Sequence, residues 1–186
     1  MATRRAFILA GTGSGCGKTT VTLGLLSLLQ QRGMRVQPCK VGPDYLDTAW
    51  HTAISGIASR NLDSFMLPAP ILNALFTEQL QQADIAVIEG VMGLFDGNPS
   101  AADLARRFGV PVLGVINGAA MAQTFGALAY GLAHFQPDLP FSGVLGNRVG
   151  SQRHSDILRD CLPPGMRWFG GLPRSAEFEL PSRHLG

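Results

Sequence analysis

The chain has 186 residues, of which 46% are hydrophobic and only 15% are charged, and its formal net charge is +2. This composition excludes an intrinsically disordered protein, and the length predicts a single domain. The Lys and Arg residues are scattered rather than gathered into a basic stripe, which argues against a nucleic-acid-binding protein. The three cysteines follow no disulfide or metal-ligand spacing and favour the reducing cytoplasm.

One uncharged stretch, residues 108–137, is long enough to be mistaken for a membrane span. It is interrupted by Pro111, Asn117, Gly118 and Gln123, which a span of about 20 apolar residues does not tolerate well. We therefore predict a buried strand followed by a turn and a buried helix, and no membrane association.

Short apolar runs alternate with helical patterns along the chain. Strands buried on both faces read as continuous Val, Ile and Leu runs, because neither face alternates with polar residues. The predicted strands are 6–10, 35–39, 85–88, 111–116, 142–145 and 168–170. The predicted helices are 18–32, 71–82, 101–108, 121–135 and 151–162. This order predicts an α/β fold, a parallel β-sheet flanked by helices on both faces, with ligands at the carboxyl ends of the strands.

The first predicted strand leads into a phosphate-binding loop, Gly11-Thr-Gly-Ser-Gly-Cys-Gly-Lys18-Thr19-Thr20. The glycines let backbone N–H groups converge on a phosphate, and the helix that follows adds its positive dipole end. Lys18 is expected to contact the β- and γ-phosphates, and the Thr19 hydroxyl to coordinate Mg²⁺. The first glycine stands one residue earlier than in the usual pattern. The predicted nucleotide-binding residues of the loop are Gly13, Ser14, Gly15, Cys16, Gly17, Lys18, Thr19 and Thr20.

The second predicted strand runs into Lys40-Val-Gly-Pro-Asp44-Tyr45-Leu46-Asp47. Lys40, Asp44 and Asp47 should therefore lie at the ligand edge, where paired carboxylates suit Mg²⁺ binding or substrate positioning. The alternative is that Asp44 caps a helix that runs on to His51. His51 itself is expected to be a surface or capping residue.

The third predicted strand ends directly in Glu89, and Asp96-Gly97 follows in a glycine-rich loop. An acid at the end of a buried strand is the position from which Walker-B acids hold Mg²⁺ or its water. Asp96 has a simpler alternative as an ordinary turn residue.

Two later strand ends could form a base pocket. Asn147 offers a donor and an acceptor, as the edge of adenine requires, and Pro173 could close the pocket. The alternative for Asn147 is a turn-forming asparagine.

Four stretches together resemble the cobyrinate a,c-diamide synthases. They are the phosphate loop, the Lys40–Asp47 stretch, Glu89-Gly-Val-Met-Gly-Leu-Phe-Asp-Gly and Gly146-Asn-Arg-Val-Gly-Ser-Gln-Arg-His. The phosphate loop is shared with dethiobiotin synthetase, so the resemblance implies a P-loop NTPase fold of the dethiobiotin-synthetase-like type. Asn117 stands where the family tends to have Asp.

The resemblance implies a cytoplasmic, ATP- and Mg²⁺-dependent amidoligase of cobalamin biosynthesis. Such an enzyme converts the a- and c-acetate carboxylates of cobyrinate or hydrogenobyrinate to amides through an acyl phosphate. The implied catalytic residues are Lys18, Lys40, Asp47 and Asp96. The implied substrate-facing residues are Tyr45, Leu46, Asp47 and Asp96, and the implied metal ligands are Thr19, Asp44 and Glu89.

The same resemblance implies a domain organisation. Residues 1–178 would form the ATP-binding synthetase domain. Residues 179–186 would begin a linker to an absent C-terminal glutamine amidotransferase domain, and that domain or a separate protein would supply ammonia. A homodimer is left open.

Three alternatives compete with this interpretation. Nickel-sirohydrochlorin a,c-diamide synthase acts on a related tetrapyrrole, and the motifs do not exclude it. Dethiobiotin synthetase lacks the Lys-Val-Gly-Pro-Asp-Tyr stretch. A ParA/MinD-type switch ATPase carries a signature lysine in its loop, where this chain has Gly13.

Overall fold

The computed structural model describes residues 5–175, which form seven strands and six helices. The strands are β1 (Ala6–Gly11), β2 (Val36–Val41), β3 (Arg60–Leu62), β4 (Ile85–Glu89), β5 (Val112–Asn117), β6 (Phe141–Val149) and β7 (Trp168–Pro173). The helices are α1 (Lys18–Gln31), α2 (Leu46–Ser55), α3 (Ala69–Gln81), α4 (Ala101–Phe108), α5 (Thr124–His134) and α6 (Gln152–Asp160).

The strands form one parallel sheet in the order β3-β2-β4-β1-β5-β6-β7. The register pairs Leu9 and Lys40 with Glu89 from either side, so that β1, β2 and β4 end together. The predicted parallel α/β architecture is confirmed. None of the helices within residues 5–175 is long and apolar enough to cross a membrane.

Side chains on the two faces of the sheet enter two separate hydrophobic clusters. On β1, Ile8 belongs to the cluster that includes side chains of α3, α4, α5 and α6. Its neighbour Leu9 belongs to the cluster that includes side chains of α1. Successive strand residues point to opposite faces, so this division confirms that helices cover both faces of the sheet.

Two elements differ from the expectation. Strand β3 is an edge strand of three residues, too short and too polar to stand out in the sequence, and only its Leu62 is buried. Helix α2 follows β2. From the sequence, a helix is expected here only under the alternative in which Asp44 caps a helix that runs on to His51. Oδ1 of Asp44 accepts a hydrogen bond from the Asp47 N–H at the start of α2, at 2.9 Å, and Gly56 ends the helix with a φ of 65°. The linker predicted at 179–186 lies outside the described residues.

Glycines 126 and 131 lie on the same helix, α5, in opposite surroundings. A Cβ at Gly126 would overlap the backbone carbonyl of Cys161, whereas a Cβ at Gly131 would meet nothing within 4 Å. Helix α5 therefore depends on the missing side chain at Gly126 for its close approach to the segment after α6.

We predict opposite effects on stability for alanine at these two positions. Gly126→Ala should lower the free energy of unfolding by about 1–3 kcal/mol, because a backbone carbonyl cannot move aside as a side chain can. Gly131→Ala should raise it by about 0.5–1 kcal/mol, because alanine restricts the unfolded chain and favours the helix. Urea unfolding measures both changes, and equal effects of the two substitutions would contradict this packing.

Candidate functional site

The phosphate loop, residues 11–17, connects β1 to α1 at the edge where β1, β2 and β4 end. Gly17, the residue before α1, has a φ of 98°, a conformation that favours glycine. A Cβ at Gly17 would also overlap the side-chain amide of Asn147. Glycine is therefore required here both by the backbone conformation and by the contact with β6.

Lys18 begins α1 and turns back over the loop. Its Nζ donates to the backbone carbonyls of Gly13, at 2.8 Å, and Met92, at 2.6 Å. Burial lowers the pKa of Lys18 below its ordinary value, because the charged form loses hydration. Lys18 thus links the phosphate loop to the loop after β4. The sequence predicts that this ammonium contacts the β- and γ-phosphates of the nucleotide.

Lys40 lies at the centre of a buried charged cluster. Its Nζ lies 2.6 Å from Oδ2 of Asp47 and 3.1 Å from Oε1 of Glu89, and it donates to the Gly90 carbonyl at 3.2 Å. Asp44 lies further away, with its Oδ2 3.9 Å from the ammonium. Lys40 is only 2% exposed, so water does not solvate its ammonium. The carboxylates of Asp47 and Glu89 balance its charge instead.

The hydroxyl of Thr19 reaches the same cluster from α1. It donates to Oε1 of Glu89 at 2.7 Å and lies 3.5 Å from Oδ1 of Asp47. Hydroxyl and carboxylate oxygens are the ligands that Mg²⁺ prefers, so this donor set fits the ion. Of the three predicted ligands, the structure brings Thr19 and Glu89 together, and Asp47 rather than Asp44 is the second carboxylate beside Thr19.

No group of three or more His, Cys, Asp or Glu residues that could hold a metal by themselves occurs within residues 5–175. A nucleotide-dependent Mg²⁺ site does not need one, because phosphates and water supply most of its ligands. The assignment of Thr19, Asp44 and Glu89 as metal ligands stays a prediction.

The expectation for His51 was wrong. The side chain is fully buried, and its Nε2 lies 2.7 Å from Oε2 of Glu89. Asp47, His51 and Ser55 are spaced four residues apart on α2, which places them on one helix face, and all three are buried. That spacing is the signal in the sequence that His51 shares a helix face with Asp47, whereas its contact with Glu89 depends on how α2 packs.

Tyr45 and Leu46 stand at the start of α2 with exposed side chains, Tyr45 at 90%. A cavity of about 190 Å³ lies nearby, lined by residues that follow β2, β3 and β4, among them Pro43, Phe65 and Met92. Oδ2 of Asp96 accepts a hydrogen bond from the Gly93 N–H at 2.8 Å. This contact is typical of an ordinary turn residue, which was the alternative interpretation of Asp96. The substrate roles of Tyr45, Leu46, Asp47 and Asp96 stay predictions.

The residues predicted for the base pocket lie on the other side of the loop. The side-chain amide of Asn147 donates to the Cys16 carbonyl at 3.0 Å, so it braces the phosphate loop from β6. Pro173 is exposed at the end of β7 and pairs in register with Val149. Oδ1 of Asn117 accepts from the Ala119 N–H at 3.1 Å, within a turn. The adenine contacts of Asn147 and Pro173 stay predictions.

We predict that Lys40→Met destabilises the chain strongly. The substitution leaves Asp47 and Glu89 buried without their ammonium partner, which should lower the free energy of unfolding by about 3–5 kcal/mol. The double variant Lys40→Met/Asp47→Asn should recover part of this loss. Urea unfolding measures both variants, with Arg159→Met as a control that removes only exposed ion pairs and should have little effect. No recovery in the double variant would contradict the charge balance described above.

Two solved structures share the fold. The hydrogenase maturation factor HypB from Archaeoglobus fulgidus superposes with a TM-score of 0.55 at 13% identity, over 91% of this chain and 81% of that chain. FlhF, crystallised with GTP and Mg²⁺, superposes with a TM-score of 0.61 at 11% identity, over 92% of this chain and 64% of that chain. Identities this low establish the common fold alone.

Curated relatives are much closer in sequence. The hydrogenobyrinate a,c-diamide synthase of Pseudomonas aeruginosa is 71% identical over 181 residues, which cover 97% of this chain. The cobyrinate a,c-diamide synthase of Salmonella typhimurium is 57% identical over an alignment of 193 residues, gaps included, which covers 100% of this chain. The chain spans only 42% of the length of either relative.

These relatives confirm the resemblance drawn from the four sequence stretches. A family model described as the CobQ/CobB/MinD/ParA nucleotide binding domain matches residues 7–186, nearly the whole chain. The parallel sheet, the phosphate loop and this match lead to one conclusion: the chain belongs to the CobQ/CobB/MinD/ParA nucleotide binding domain family.

Proposed function

We propose that the chain is the synthetase part of an a,c-diamide synthase, which uses ATP to amidate two acetate carboxylates of a cobyrinate-type tetrapyrrole. The observation that carries the proposal is the buried cluster of Thr19, Lys40, Asp47 and Glu89 beside the phosphate-loop lysine. The 71% identity to a hydrogenobyrinate a,c-diamide synthase supports the substrate class. The proposed domain is residues 1–178, followed by a linker from 179.

The proposed reaction has two steps. A carboxylate oxygen of the substrate forms a bond to the γ-phosphorus, while the bond from that phosphorus to the bridging oxygen breaks and ADP leaves. The lone pair of ammonia then attacks the acyl carbon, the bond from that carbon to the phosphate oxygen breaks, and phosphate leaves. One proton of the attacking nitrogen is lost, and Asp47 is the proposed acceptor.

The protein's own groups position the nucleotide. Lys18 exchanges its two carbonyl partners, Gly13 and Met92, for oxygens of the terminal phosphates. Thr19 and Glu89 would hold Mg²⁺, with Asp44 at the edge of the cluster. When bound there, the ion would neutralise charge on the β- and γ-phosphates. Lys40 keeps Asp47 and Glu89 in place, because it bonds both carboxylates at once.

The proposed substrate side is formed by the loops that follow β2, β3 and β4. Tyr45 and Phe65 are 90% and 85% exposed, and Phe65 and Met92 line the cavity between these loops. Large apolar side chains of this kind suit the ring face of a macrocycle, while its carboxylates would reach toward the phosphates. Leu46 and Asp96 complete the proposed substrate-facing set, and Asn147 and Pro173 remain proposed for the base.

The remaining parts of the proposal concern partners and location. Ammonia would come from a glutaminase domain of the same protein or from a separate protein. The three cysteines have no disulfide partner, which favours the cytoplasm.

Nickel-sirohydrochlorin a,c-diamide synthase remains the closest alternative, because the same site geometry serves a related tetrapyrrole. The family description also includes MinD and ParA. Gly13 in place of their signature lysine argues against a partner-driven switch. Incubation with ATP, Mg²⁺, ammonium and either cobyrinate or nickel-sirohydrochlorin, with product masses as the readout, separates all three. A switch would instead hydrolyse ATP without amidating either tetrapyrrole.

We predict that Glu89→Gln reduces amidation about 100-fold, because the amide can still accept from Thr19 but offers no negative charge to the metal. Metal-free ADP affinity, measured by calorimetry, should stay within a few-fold, because the phosphate loop is unchanged. Glu78→Gln, the same substitution on the exposed surface of α3, serves as the matched control. Near-normal amidation by Glu89→Gln would refute the proposed metal site.

We predict that Asp47→Asn separates amidation from nucleotide binding. ADP affinity should change little, because Lys18 and the loop N–H groups carry the phosphate contacts. Amidation should fall severely and stop mainly at the monoamide, because the second acetate must be presented in a new orientation. Product masses over time measure this, with the exposed Asp160→Asn as control. Lost ADP binding, with unchanged amidation per bound nucleotide, would instead place Asp47 in the nucleotide site.

A further inference from the structure

His51 is buried against the cluster, in contact with Glu89, and the proposed reaction does not use it. It lies on the same face of α2 as Asp47, one helical turn further on, and its side chain is 0% exposed. A fully buried imidazole needs hydrogen-bond partners for both ring nitrogens, because unpaired polar groups are costly away from water. Both partners are present, and they are Glu89 and Ser59.

The two contacts fit a ring that carries a proton on Nε2. A carboxylate oxygen accepts hydrogen bonds, so in this arrangement Nε2 of His51 donates to Oε2 of Glu89 across 2.7 Å. In the neutral ring, Nδ1 is then the acceptor, and the Ser59 hydroxyl donates to it across 3.2 Å. Ser59 is itself held in place, because its N–H donates to Oγ1 of Thr52 on α2 at 3.0 Å.

Glu89 therefore has its two oxygens in different surroundings. Oε1 accepts from the Thr19 hydroxyl at 2.7 Å and from Lys40 at 3.1 Å. Oε2 faces His51. The terminal torsion of a glutamate is broad and roughly two-fold, so contacts on Oε1 alone do not fix the plane of the carboxylate. A donor on Oε2 does fix it.

We propose that His51 is a positioning residue, which anchors Oε2 of Glu89 so that Oε1 faces Thr19 and the metal ion of a bound nucleotide. Ser59 fixes the orientation of the ring. Without the anchor, the carboxylate is free to turn about its terminal torsion, and Oε1 no longer stays aimed at Thr19 and the metal. The inference rests on the proposed nucleotide–Mg²⁺ site and needs no tetrapyrrole.

The main experiment measures metal affinity directly in the full chain. Calorimetric titration of the ADP-bound chain with Mn²⁺, as a probe for Mg²⁺, compares wild type with His51→Leu and His51→Gln. His51→Leu removes the donor and should weaken metal binding ~10–100-fold, the range found when partners of metal ligands are lost. His51→Gln keeps an N–H near the position of Nε2 and should restore most of the affinity. Metal-free ADP binding should be the same in all three.

Controls separate positioning from stability. His154→Leu removes another imidazole, which lies half-buried on α6 with its Nε2 2.7 Å from the backbone carbonyl of Met121. This variant should lower the melting temperature without changing metal affinity. Ser59→Ala should weaken metal binding less than His51→Leu, and adding Ser59→Ala to His51→Leu should have no further effect.

A second readout needs neither metal nor activity. Nitrogen-15 NMR of the metal-free chain should show His51 with its proton on Nε2, and a proton on Nδ1 alone would overturn the inference. Unchanged metal affinity in a folded His51→Leu variant would overturn it as well. If His51→Leu does not fold, His51→Gln decides the question. Mn²⁺ affinity well below that of the wild type, in a His51→Gln variant with a normal melting temperature, would also overturn the inference. If the wild-type chain amidates no tetrapyrrole but the metal affinities differ as expected, the proposed function fails and the role of His51 stands.

Discussion

The ammonium of Lys40 is what allows two carboxylates to lie buried side by side at the end of the sheet. Lys40 and Glu89 are direct neighbours in the register of β2 and β4, so the sheet itself brings these charges together. Removing a buried carboxylate from water costs several kcal/mol, and only close, well-bonded partners offset that penalty. Asp47 is drawn into the same arrangement from α2, and this contact attaches the helix to the site.

This constraint gives α2 an unusual surface. Its buried face carries Asp47, His51 and Ser55, whereas Leu46, Trp50 and Ile54 are substantially exposed. An ordinary surface helix shows the reverse pattern, with apolar residues inward. Helix prediction from hydrophobic periodicity therefore places the wrong face of α2 against the protein. The buried charges decide the orientation of this helix, and they become visible only when β2 and β4 are known to be neighbours.

Features set by local sequence pattern were predictable, whereas features set by the packing of distant elements were not. The strands with continuous apolar runs, the phosphate loop and Glu89 at a strand end were predictable, because each follows from local pattern. The nearer approach of Asp47 to Thr19 and the partner of His51 were not, because they depend on how α2 packs. The contact between Asn147 and the Cys16 carbonyl joins residues far apart in the chain, and no local pattern indicates it. Strand β3 pairs only at the edge of the sheet, where three residues give too little signal.

The two lysines of the site are held in different ways, and this difference assigns them different tasks. Lys40 bonds carboxylates, and charge-assisted hydrogen bonds are roughly twice as strong as neutral ones. The contacts of Lys18 within hydrogen-bonding distance are mainly backbone carbonyls, which carry no formal charge. An arriving phosphate can therefore displace the partners of Lys18 far more easily than those of Lys40. The family resemblance implies a catalytic role for both lysines. The geometry favours Lys18 for the contact with the phosphates, and Lys40 then preserves the arrangement of Asp47 and Glu89 while the nucleotide binds.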